Sequence, residues 1–270
     1  MTLGKELTKL RHRHEARQRL EDLDKERKLV HVIHYSCESF YDIKDGRTPR
    51  VTSIAVRNYA SGQTKSFSIH KSAEQKNVPS EEISDRYDEL EREMLGEFFE
   101  YLKYLKGHRF IHWNMRDINY GFPAIEHRFK ILGGEPIVVE DDRKFDLARE
   151  LVALYSVKYA PHGKFGRMHS LMDMNSIGAK DALTGKEEAD AFDNEEYVKL
   201  HQSTLRKADV IANLLDRTLD GSLKTKATWR ERHGIHPVAL LEFLTEHWIW
   251  AIIVAVGVIV SIISGIWSLV

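Results

Sequence analysis

A change of hydrophobic period at residue 29 does most to limit what this chain can fold into. Before it, residues 2–28 mix acids and bases around two short apolar stripes, Leu3, Leu7 and Leu10, then Leu20 and Leu23. That pattern predicts an exposed helical arm, solvated or facing a partner. After it, "LVHVIHYS" is a bounded, β-branched run and reads as a buried strand. "RVTSIAVRNY" and "TKSFSIH" alternate around Ala60-Ser61-Gly62-Gln63, a hairpin with glycine in its turn.

Helix and strand alternate from there on. The stretch "VPSEEISDRYDELEREMLGEFFEYLKYLKG" is a helix, with Ser80 suited to the N-cap and Gly107 to the stop. "RFIHW" is a short strand, and "NYGFPAIEHRFKILGG" a helix with Pro123 in its first turn. "PIVVE" reads as a fifth strand, and "FDLARELVALYSVKY" as a helix with Asp146 near its start. A short helix around Met168–Asn175, a polar loop to about Asp193 and a long helix closed by Gly221 complete the soluble part. Three strands in antiparallel succession, followed by alternating helices and strands, predict a mixed five-stranded sheet flanked by helices. The expected domain plan is an arm over residues 1–28, a globular domain over 29–220, a linker over 221–247 and a final segment over 248–270.

That final segment, "WIWAIIVAVGVIVSIISGIWSLV", has no charged residue. At about 1.5 Å per residue it is long enough for a bilayer core of about 30 Å. Trp248, Trp250 and Trp267 lie near its ends, and Lys224, Lys226, Arg230 and Arg232 precede it. The expectation is a single transmembrane helix, a tail anchor in a lipid bilayer with the soluble part in the cytoplasm. Gly257, Ser261 and Gly265 recur every four residues and offer a face for a homodimer. The start of the chain has no apolar signal-peptide core. With Cys37 as its one cysteine, the chain has no internal disulfide, which suits a reducing compartment. A net charge of −1 gives no global basic field for nucleic acid.

Three stretches carry candidate chemistry: Tyr35-Ser36-Cys37-Glu38-Ser39, "FIHWNMRDINYGF" over residues 110–122, and "YVKLHQSTLRKADVIANLL" over residues 197–215. In that order, on those elements, they resemble the three motifs of the DEDD 3′–5′ exonucleases, which have a ribonuclease H-like fold. The resemblance covers roughly residues 30–216. It implies two divalent cations, Mg or Mn, clamping a phosphodiester between carboxylates, with a histidine as general base.

Residue by residue, the resemblance is incomplete. Glu38 matches the glutamate of the first pair, but its aspartate partner is Ser36. Asn114 matches the asparagine of the second motif, whose acid is either Asp117, one residue early, or the neutral Asn119. His201 matches the base, but the acid five residues on is Arg206, and Asp209 lies nearly a helical turn later. A fixed cation where a metal ligand should stand opposes metal binding.

The leading expectation is therefore a catalytically degenerate module, a pseudoenzyme, that binds nucleic acid or a nucleotide at the former cleft through Ser36, Trp113, Asn114, Asn119 and Arg206. Arg206 is expected to face Glu38 across the vacated metal site. Lys158, Lys164, Arg167, Lys199 and Lys207 are further candidates for phosphate contacts. No cofactor is needed in that case. Two alternatives stand beside it. One is an active metal-dependent exonuclease using Glu38, Asp117, His201 and Asp209, with Glu38 and Asp117 on the metal. The other is a non-catalytic membrane scaffold.

Overall fold

The computed structural model describes residues 3–39, 48–228, 231, 252 and 255–259. Its centre is a five-stranded mixed sheet: β1 (Val30–Cys37), β2 (Val51–Asn58), β3 (Thr64–Ser68), β4 (Arg109–His112) and β5 (Lys144–Asp146). The strand order is β3-β2-β1-β4-β5. β1 and β3 each pair antiparallel with β2, whereas β4 runs parallel to both β1 and β5. Eight α-helices are described: α1 (Leu3–Lys25), α2 (Ile69–Gln75), α3 (Tyr87–Tyr104), α4 (Phe122–Ile131), α5 (Leu147–Tyr155), α6 (Gly166–Met174), α7 (Gly185–Asp193) and α8 (Tyr197–Leu219).

The two-residue period of β1 divides the core. Ile33 and Tyr35 join Phe98, Phe110 and Phe129 in a layer with α3 and α4. Val30 and Val32 join Leu151, Ala208 and Ile211 in a layer with α1, α5 and α8. His34 and Ser36 share the even-numbered face, so both emerge against α8 near the carboxyl end of the strand.

Several sequence expectations need correction. "PIVVE" forms no strand; the fifth strand is Lys144–Asp146, which enters α5 through its own Asp146 N-cap. Ser80 opens a single 3₁₀ turn, and the α-helix starts at Tyr87. The polar loop before Asp193 contains α7, opened by a capping box of Thr184 and Glu187. Residues 3–25 are helical but do not form a free arm. Ala16, Leu20 and Leu23 are buried, Arg19 pairs with Glu150 at 2.9 Å, and Arg13 donates to the Leu154 carbonyl at 2.9 Å. The linker also begins docked: Leu223 is buried and Lys226 donates its backbone N–H to Tyr159.

The expected transmembrane helix is not part of the described fold. Residues 248–270 lie outside the described residues except for Ile252 and residues 255–259. Among the described residues no helix is long and apolar enough to cross a membrane. The two of 23 residues, α1 and α8, carry charge along their length. Of the proposed dimer face, only Gly257 is described.

Between α3 and α4 the apolar layer holds one buried ion pair. Arg128 donates to Glu91 through Nε at 2.9 Å and Nη2 at 2.7 Å, while Glu91 also accepts the Val51 N–H at 2.7 Å. Removing one partner leaves an uncompensated buried charge. Arg128→Met is expected to cost about 3–5 kcal/mol in urea denaturation, and adding Glu91→Leu should restore part of it. A single-variant loss below about 1 kcal/mol would show that the pair is not load-sharing in this way.

Candidate functional site

Where β1 and β4 end, α5, α6, α7 and α8 surround a cleft of about 690 Å³. Its floor holds His34 and Tyr120, and one wall holds Trp113 and Asn114. Arg149 enters from α5, Arg167 and His169 from α6, and Lys207 from α8. Phe165, 55% exposed, stands at the lip.

The turn between β4 and α4 is tightly specified. Asn114 takes a left-handed conformation at φ 58°, one that asparagine tolerates. Its N–H donates to Asp146 Oδ1 at 3.1 Å, an oxygen that also caps Ala148 of α5. Asp146 Oδ2 meets Arg116 Nε at 2.7 Å. Asp117 folds the next residues by accepting the N–H groups of Asn119 and Tyr120 at 2.9 and 3.0 Å. Gly121 closes the turn; a Cβ there would sit 2.6 Å from the backbone of Met115 and Arg116. Tyr120 is thereby stacked on Tyr35, with ring centroids 4.6 Å apart.

On the opposite wall Lys207 is buried, and its Nζ meets Glu188 Oε1 of α7 at 2.6 Å. Ser203 donates to the same oxygen at 2.8 Å. A cation thus stands among the carboxylates nearest the end of β1. Burial, then Glu188, Glu38 and Glu91, push the Cys37 thiol up, and Lys207 opposes them. That disfavours the thiolate at the half-buried Cys37.

The sequence-derived site residues are brought together only in part. Trp113 and Asn114 line the cleft, as do Arg167 and Lys207 among the basic candidates. Ser36 is buried on the cleft side of β1, its Oγ without a hydrogen-bond partner. Glu38 accepts the Arg50 N–H at 3.3 Å. Asn119 is exposed, and Asp117 serves the turn. His201 is buried against His70, with ring centroids 5.1 Å apart. Asp209 pairs with Arg57 at 2.9 Å. Arg57 lies opposite Val32 in the sheet, six residues and about 20 Å along β1 from Glu38. Asp209 therefore belongs to the far end of the strand.

Arg206 does not reach across to Glu38 as expected. It donates to the Gly178 carbonyl at 2.6 Å, on a helix face it shares with Asp209 and Asn213. One residue along a helix turns the side chain by about 100°, and it is Lys207 that points inward.

Sequence reasoning missed His34, Arg116, Tyr120, Arg149, His169 and Glu188. For His34 a signal existed: it shares strand parity with Ser36. The arginines and Glu188 come from segments distant in sequence.

The donor set does not fit a pair of magnesium ions. Such ions need several oxygen ligands, but Asp146 and Glu188 are engaged by Arg116 and Lys207. Among the described residues no group of three or more His, Cys, Asp or Glu is placed to hold a metal ion. The surplus in the cleft is cationic. Arg149 and Arg167 line it without an ion pair among the described residues. α6 opens beside them at Gly166, with no side-chain hydrogen bond capping that end. No family model, curated protein or solved structure matches the chain.

The histidines here are held neutral. Burial, then Lys207, drives His34 well below its ordinary value. Burial lowers His112 and His201 to about 4 each. These folded-state values lie below the unfolded value of about 6.5, so the unfolded chain binds more protons between about pH 4 and 6.5. Their contribution is complete above about pH 6.5 and is lost as pH falls. Urea denaturation at pH 7 and pH 5 should show lower stability at pH 5, by at most about 1.4 kcal/mol per pH unit for each histidine. A flat profile over that range would contradict the neutral assignment.

Proposed function

We propose that this protein is a non-catalytic binding module whose cleft takes a nucleotide or the end of a nucleic-acid strand. The observation that carries the reading is the cleft's chemistry: Arg149 and Arg167, which make no ion pair among the described residues, and the start of α6 beside aromatic Phe165 and Trp113. Cations and helix N-terminal N–H groups suit phosphate. Aromatic faces suit a base. A volume of about 690 Å³ suits a ligand of one or two nucleotides rather than a duplex.

The likeness to the DEDD exonucleases supports the same reading from another direction. The sheet carries the antiparallel trio and parallel continuation expected of a ribonuclease H-like domain, and the cleft takes Trp113, Asn114 and Lys207 from the second and third of the resembling stretches. Loss of the acids at Ser36 and Arg206, with Lys207 turned inward, favours retention of an anion over two-metal hydrolysis.

Anisotropy with a labelled single-stranded oligonucleotide tests the proposal. Arg149→Ala/Arg167→Ala should weaken binding about tenfold or more. It should also flatten the slope of log K against log salt by about 1.4, two phosphate contacts at about 0.7 each. End-labelled RNA and DNA should stay intact with Mg²⁺ or Mn²⁺. Cleavage abolished by Glu38→Ala would overturn the non-catalytic reading, and unaltered binding by the double variant would overturn the cleft assignment.

A further inference from the structure

The floor of the cleft carries a hydrogen-bond acceptor with nothing to accept. His34 is 5% exposed, lines the cleft, and its Nε2 has no hydrogen-bond partner. The network fixes which ring nitrogen holds the proton. Tyr120 donates its hydroxyl hydrogen to the Tyr35 carbonyl at 3.0 Å, since a carbonyl can only accept. The Tyr120 oxygen, 3.4 Å from His34 Nδ1, is left to accept from that nitrogen. Nδ1 therefore carries the hydrogen and Nε2 presents a bare lone pair. Burial, then the charge of Lys207 on the same cleft, opposes a second proton. Asp146 and Glu188, the acids at the cleft edge, are each bound to another cation.

A buried acceptor left unpaired is destabilising, and a ligand reaching the floor recovers that by supplying an O–H or N–H. Phosphate groups at neutral pH offer only acceptors, and they belong with Arg149 and Arg167 near the start of α6. The donor must therefore come from the nucleoside part, which in an adenine nucleotide means a sugar hydroxyl or the exocyclic amine.

We propose that His34 Nε2 is a specificity-determining acceptor that selects ligands whose nucleoside portion places a hydrogen-bond donor at the cleft floor. This rests on the nucleotide-binding reading and adds the feature of the ligand that is read.

Calorimetric titration of the full chain with ADP, 2′-deoxy-ADP, 3′-deoxy-ADP and inosine diphosphate tests it. The first two analogues each delete one sugar hydroxyl, and the last replaces the exocyclic amine with a carbonyl. One of the three should bind about tenfold or more weaker than ADP, and which one identifies the donor. His34→Gln, which keeps an acceptor, should retain part of the discrimination. His34→Phe should remove it while phosphate-dependent binding persists. Equal binding of all four by the native protein overturns the inference and leaves the cleft reading intact. Discrimination that survives in His34→Phe also overturns it. Failure of all four to bind overturns both. The native series decides even if a variant does not fold.

Discussion

The buried pair of Lys207 and Glu188 sets the chemistry of the cleft. It brings a positive charge to the carboxyl end of β1, where the exonuclease resemblance would call for negative ligands. Glu188 comes from α7 and is also held by Ser203 of α8, so the charge is tied to the packing of two helices. Such a pair gains little net stability over apolar side chains of similar size. Its consequence is electrostatic: it neutralises an acid, adds to the burial that keeps His34 uncharged, and leaves the cleft with a cationic surplus. Arg149, Arg167 and the start of α6 extend that surplus to the mouth.

The fold delivers these groups through short-range rules. Strand parity puts His34 and Ser36 on the α8 side of β1 and Tyr35 on the other. Asp146 ties the end of β4 to the start of α5 by accepting from both backbones, and it pairs ionically with Arg116. Gly121 allows the close backbone approach that seats Tyr120 on Tyr35, and Tyr120 then orients the His34 ring. A rigid floor and a cationic rim follow from one strand end, one turn and three helix ends.

Much of the architecture was legible because it is written in local periodicity. The first four strands, the turn at Gly62, Pro123 in the first turn of α4 and the Asp146 cap are all present in the structure. The fifth strand was misplaced because "PIVVE" has β-branched residues but no sheet edge to join; pairing with β4 chose Lys144–Asp146 instead. α1 reads as an exposed arm, solvated or facing a partner, because its buried stripe includes the small Ala16 among many charges. The site was legible in kind but not in register. Motif spacing points to Arg206 as the cation at the metal position that the resemblance implies, whereas helical phase turns Lys207 inward. Arg149 and Glu188 reach the site only through tertiary packing, which one-dimensional spacing does not encode. The long apolar stretch of residues 248–270 met the compositional test for a bilayer span, and no helix among the described residues supplies one.

The central claim is that this cleft is built for an anion and not for a pair of divalent cations. Thermal melting of the intact protein with Mn²⁺ alone and with ADP alone tests it most directly, because a ligand that binds the native state raises the melting temperature by mass action. The account predicts a saturable rise with ADP that Arg149→Ala/Arg167→Ala diminishes, and no saturable rise with Mn²⁺. A saturable rise with Mn²⁺ that disappears in Glu38→Ala, with ADP inert in the absence of metal, would contradict it.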